Sequence, residues 1–71
     1  MDGYSTVIQN IRRIIFDKGM KQGVVAERAG FTPSEFSNIL YGRKLLRVEH
    51  IAPIAQALGV DVGTLFLQKP A

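Results

Sequence analysis

The sequence predicts an all-α fold, a compact bundle of five short helices. Three observations carry that prediction. Apolar residues recur at helical spacings in successive segments. Glycines stand at positions 19, 30, 42 and 59, where those stripes stop. The run Thr32-Pro33-Ser34-Glu35 has the composition of a helix start.

The first helix is expected over about 5–18, with Val7, Ile8, Ile11, Ile14 and Ile15 as its apolar stripe. Gln9, Arg12, Arg13 and Asp17 take the other side. Ser5 is the expected N-cap, and Lys18-Gly19 the stop, with a cation near the negative helix end. The second helix, about 21–29, turns Val25, Ala26 and Ala29 inward. Gly23 and two valines make it a weak helix former that packing must hold.

Gly30 breaks that helix, and the third runs about 33–41. Thr32 caps it, Pro33 takes the first position, Glu35 closes a capping box, and Phe36, Ile39 and Leu40 face inward. A basic connection, Arg43-Lys44-Leu45-Leu46-Arg47, leads to a fourth helix at about 48–58. Its inward set is Ile51, Ile54, Ala55 and Leu58. Pro53 demands either a start near 49 or a bend, because only the first four N–H groups of a helix are free. Asp61 caps a short last helix through Leu65 and Phe66, and residues 1–3 and 68–71 form loose tails.

The chain of 71 residues has room for one domain, 1–71 with its core at 5–67. Its 46% apolar and 21% charged content is that of a globular chain, not a disordered one. With no Cys and one His, disulfides and a Cys/His zinc site are excluded, and no cofactor or metal is expected. His50 has no ligand-type neighbour at useful spacing and reads as a surface or helix-start residue. The serines lack a nucleophile motif or adjacent base, and there is no Gly-rich phosphate loop. So short a helical chain leaves no large cleft, and neither enzymatic activity nor a small-molecule substrate is expected. No apolar run reaches the roughly 18 residues of a membrane span. The acidic start Met1-Asp2-Gly3-Tyr4 lacks a signal-peptide layout, so the expected location is the cytoplasm, at the nucleoid. Net charge +3 and pI 9.7 suit a polyanionic partner.

Gln22 to Tyr41 holds two short helices joined by a tight glycine-containing turn, a helix-turn-helix arrangement. Phe36 locks the second helix onto the first. Pro33, Ser34, Ser37 and Asn38 are left on the outer face, short enough to let the helix approach a groove floor.

Residues 8–67 resemble the Cro/repressor-type helix-turn-helix family of phage and bacterial regulators, the XRE-like class with a lambda-repressor-like fold. The matching stretches are Gln22-Gly23-Val24-Val25-Ala26-Glu27-Arg28-Ala29-Gly30-Phe31, then Thr32 through Arg43, then Ile54 through Phe66. The resemblance implies that the second motif helix enters the major groove of double-stranded DNA while the first crosses the backbone. Carried over by position, Pro33, Ser34, Ser37 and Asn38 would face base edges, Asn38 by an amide pairing with adenine. Lys21, Gln22, Thr32, Tyr41, Arg43 and Lys44 would contact phosphates and fix register. Glu35 reads as a cap in preference to a base reader.

Three departures stand out. Pro33 and Lys21 replace the family's usual polar residue and hydroxyl cap, and Tyr41 replaces a frequent Asn. Where relatives bury an Arg–Glu pair, this chain has Ile15 and Leu40, which are therefore expected to touch in the core. The resemblance also implies a homodimer reading an inverted repeat with half-sites about 34 Å apart. Leu45, Leu46, Val62, Phe66 and Leu67 are its expected seam; the alternative is that they complete the core. The implied function is operator binding by a repressor or Cro-like regulator, of the kind prophages carry. Two alternatives remain: an antitoxin that binds its own operator, and a protein-interaction module that does not bind DNA.

Overall fold

The computed structural model describes residues 4–68. The expected tails lie outside that range, Gln68 excepted. Four α-helices and one 3₁₀ turn follow in order: α1 (Ser5–Asp17), α2 (Gln22–Arg28), α3 (Pro33–Leu40), α4 (Val48–Leu58) and the turn Val62–Phe66. The fifth helix of the sequence prediction is thus a tighter 3₁₀ element. No strand occurs among the described residues.

Each helix contributes its expected stripe to one core. Val7, Ile11 and Ile14 come from α1, Val25 and Ala26 from α2, and Phe36, Ile39 and Leu40 from α3. Ile51, Ile54, Ala55 and Leu58 come from α4, and Leu65 from the turn. Ala26 is fully buried where α2 meets its neighbours, a place that a longer side chain would prise open.

All four helices end in one device. A glycine takes positive φ, 65° at Gly19, 89° at Gly30, 79° at Gly42 and 74° at Gly59. The residue after each glycine then donates its N–H five positions back: Met20 to Ile15, Phe31 to Ala26, Arg43 to Asn38 and Val60 to Ala55. Side chains strain in that conformation, which makes Gly30 the residue that turns α2 into α3.

Two local expectations are corrected, the caps at Ser5 and Asp61, and two others are sharpened. Ser5 is not the N-cap of α1. Tyr4 holds that position without a side-chain cap, its ring packed edge-on against Phe66 at 6.4 Å, and α1 begins at Ser5, the expected first residue. Asp61 flanks the 3₁₀ turn but gives no side-chain cap; its main-chain carbonyl accepts from Thr64 N–H at 3.0 Å. Lys18 and Gly19 do end α1, and the Lys18 ammonium also reaches a second helix end, donating to the Leu58 carbonyl of α4 at 2.9 Å. α4 starts at Val48, next to the expected start near 49, and Pro53 lies sixth in it, so the Glu49 carbonyl loses its helical donor.

Among the described residues, Asn10 is the buried polar one. Asn10, with 2% of its surface exposed, donates from its amide to the carbonyls of Leu65 at 2.8 Å and Leu67 at 2.9 Å. Its oxygen accepts from Arg13 at 2.7 Å. Both amide hydrogens are used, and α1 is tied to the C-terminal turn.

Candidate nucleic-acid interface

The site is built on α3. Thr32 sits in an extended conformation before it, and the box predicted there is present. Glu35 N–H donates to Thr32 Oγ1 at 3.1 Å, and Thr32 N–H donates to Glu35 Oε1 at 3.0 Å. Lys44 lies 3.4 Å from Glu35 Oε2. These contacts, the Thr32 main-chain bond foremost, then the Thr32 side chain and Lys44, hold the Glu35 carboxyl below its ordinary value. Glu35 therefore acts as a cap, its carboxylate committed to the helix start.

With Phe36, Ile39 and Leu40 buried, the opposite face of α3 presents Pro33, Ser34, Ser37 and Asn38. Pro33 and Ser34 are exposed; Ser37 and Asn38 are half-buried. No large side chain stands among them. At the exit of α3, the Asn38 main-chain carbonyl accepts from the N–H groups of Arg43 at 2.8 Å and Lys44 at 3.1 Å. The Asn38 side-chain oxygen accepts from Arg43 Nε at 3.0 Å. The amide keeps one oxygen lone pair and its two N–H donors.

The remaining cationic and polar candidates lie at the start of α2 and at the two ends of α3. Lys21 is the exposed residue before α2 and Gln22 its half-buried first residue. Thr32, Arg43 and Lys44 are exposed. Tyr41 is 54% exposed. Its ring lies under two guanidinium groups, with Arg12 Cζ at 5.0 Å and Arg43 Cζ at 5.9 Å from the centroid. By sequence alone Arg12 lies on the outer side of α1. No pattern in α1 could have signalled a contact made across 29 positions.

A shallow hollow of about 540 Å³ lies beside this ring, lined in part by Arg12, Ile15, Phe16, Met20, Gln22 and Leu40. Ile15 and Leu40, the pair expected to touch in the core, both line this hollow. Leu40 is buried and Ile15 half-buried.

The turn between α2 and α3 is fastened from behind. Phe31 stacks on Phe36 at 5.8 Å and meets the His50 ring edge-on at 4.9 Å. His50 is the third residue of α4 and accepts the Arg47 N–H through Nδ1 at 3.2 Å, a helix-start role.

Of the five seam residues, Leu45 is 77%, Val62 42%, Phe66 46% and Leu67 61% exposed, whereas Leu46 is in the core at 6%. Tyr4 joins two of the exposed ones. It packs on Phe66 and, with Leu45, lines a small hollow of about 100 Å³. Among the described residues, no helix is long and apolar enough to cross a membrane. No three His, Asp or Glu side chains among them stand together as metal ligands.

The family model of the Cro/C1-type HTH DNA-binding domain matches residues 10–70. No match was found among curated proteins or among solved structures.

Proposed function

The chain belongs to the Cro/C1-type helix-turn-helix family of DNA-binding domains, and we propose that it is a sequence-specific transcriptional regulator of the repressor or Cro-like kind. In this reading α3 enters the major groove and α2 crosses the backbone. The observation that carries it is the outer face of α3, with the short side chains Pro33, Ser34, Ser37 and Asn38, and Arg43 and Lys44 bonded to its residues. Asn38 reads adenine through its free amide donors and remaining lone pair, and Ser34 and Ser37 approach neighbouring base edges. Pro33 offers an apolar contact, suited to a thymine methyl. Lys21, Gln22, Thr32, Arg43 and Lys44 hold phosphates and set the register, with the Tyr41 ring under the Arg43 guanidinium.

The regulator acts as a homodimer on an inverted repeat, in the cytoplasm and at the nucleoid, and has no enzymatic activity of its own. Leu45, Val62, Phe66 and Leu67 supply the exposed apolar surface for a second copy, while Leu46 supports them from the core. Selection of binding sites from random duplex DNA tests this reading. Enrichment of an inverted repeat with half-sites about 34 Å apart supports it. A pool that stays unenriched at moderate salt removes sequence-specific binding.

A further inference from the structure

Resting on the DNA-binding reading above, we propose that Arg12 is a further contact to the DNA phosphate backbone, with Tyr41 as the platform that holds it in place. Arg12 and Arg43 both lie over the Tyr41 ring, at 5.0 and 5.9 Å, although they come from elements far apart in the chain. Among the described residues the ion pairs are Arg13–Asp17 and Lys44–Glu35, so neither of these two guanidinium groups faces a carboxylate. The adjacent Arg13 is occupied otherwise, donating to Asn10 at 2.7 Å and lying 4.0 Å from Asp17. The sequence pair Arg12-Arg13 thus divides into one cation used inside the fold and one left for a ligand.

The position of Arg12 also points to the backbone. Arg12 and Tyr41 line both the 540 Å³ hollow that contains Gln22 and a second hollow of about 310 Å³ that contains Ser5 and Gln9. Leu40 is shared by both hollows as well. Arg12 therefore shares one hollow with Gln22, at the start of α2, and one ring with Arg43, at the exit of α3, both candidate phosphate contacts. A guanidinium pre-oriented on an aromatic face keeps its edge donors free, and that planar fork matches phosphate oxygens. Tyr41 then works through its ring, and its hydroxyl is not required.

The test uses the selected duplex and measures affinity across a salt series for the wild type, Arg12→Gln, Tyr41→Phe, Tyr41→Leu and Arg28→Gln. Arg28 is exposed in the last turn of α2, at the opposite end from Gln22, and serves as the charge control. Arg12→Gln is expected to lower the log–log salt slope by about one unit and to weaken all duplexes alike. Tyr41→Phe is expected to match the wild type, and Tyr41→Leu to lose affinity. Melting curves of all variants should coincide, since none of these residues is buried. An unchanged slope in Arg12→Gln, or an equal loss in Arg28→Gln, overturns the contact while leaving the DNA reading intact. Equal losses in Tyr41→Phe and Tyr41→Leu overturn the platform. A wild type that binds no duplex removes the DNA reading, and this proposal with it.

Discussion

The side-chain oxygen of Asn38 accepts a 3.0 Å hydrogen bond from Nε of Arg43, joining the outer face of α3 to the basic segment that follows it. An exposed amide would otherwise sample several rotamers. Here its plane is set before any ligand arrives, which reduces the ordering needed on binding. Asn38→Ala should relax base preference at one position per half-site by about 1–3 kcal/mol and leave the salt slope alone. Arg43→Ala should lower the slope by about one unit and also blur that same position. A double-mutant cycle read by site selection checks this. Additive effects would show that the two side chains act independently.

Asn10 holds α1 to the C-terminal turn through two carbonyls. Asn10→Leu leaves both carbonyls without that donor and should destabilise by about 2 kcal/mol. For a domain of this size that is a fall in melting temperature of roughly 10 °C. Thermal denaturation gives the answer, and a fall under a few degrees would mean that water replaces the amide freely.

The capping box sets a pH dependence. The Glu35 carboxyl lies below its ordinary value of 4.5, so its ionised form favours the fold. That contribution is complete above about pH 4.5 and is lost as pH falls through the lowered value. Glu35→Gln should therefore be less stable than the wild type at pH 7, with the gap closing in acid. Thr32→Ala should cost about 1 kcal/mol near neutrality. Melting temperatures across pH 3–7 test both.

Pro53 removes a hydrogen bond inside α4 and crowds the Glu49 carbonyl. Pro53→Ala should stabilise by about 1 kcal/mol, the helical gain being offset in part by a more flexible unfolded chain. Urea unfolding with an unchanged slope and a higher midpoint is the expected result. A lower midpoint would show that packing of the half-buried ring outweighs the missing bond.

The proposed seam has its own test. Phe66 and Leu67 are exposed, so Leu67→Ser should shift sedimentation toward the monomer while leaving the melting curve of the monomer near its original place. A wild type that is monomeric at tens of micromolar would remove a stable dimer.

Much of this protein was legible in its sequence because the signals are local. Helical periodicity, the box at Thr32 and Glu35, and a glycine after each stripe act within five or six residues, and each appears where the spacing placed it. The outer face of α3 was equally legible, since three buried residues in a short helix leave only one other side. Contacts between distant segments were beyond that reach. Asn10 looks like any polar helix residue until Leu65 and Leu67 are brought against it, and Lys18 looks like a cap for α1 until the end of α4 arrives beside it. Arg12 and Tyr41 are likewise 29 positions apart and meet only once α1 and α3 pack. Hydrophobic burial, which periodicity encodes, chooses which face turns inward. Which polar groups then meet depends on how the packed helices are set against one another, and only the tertiary structure decides that.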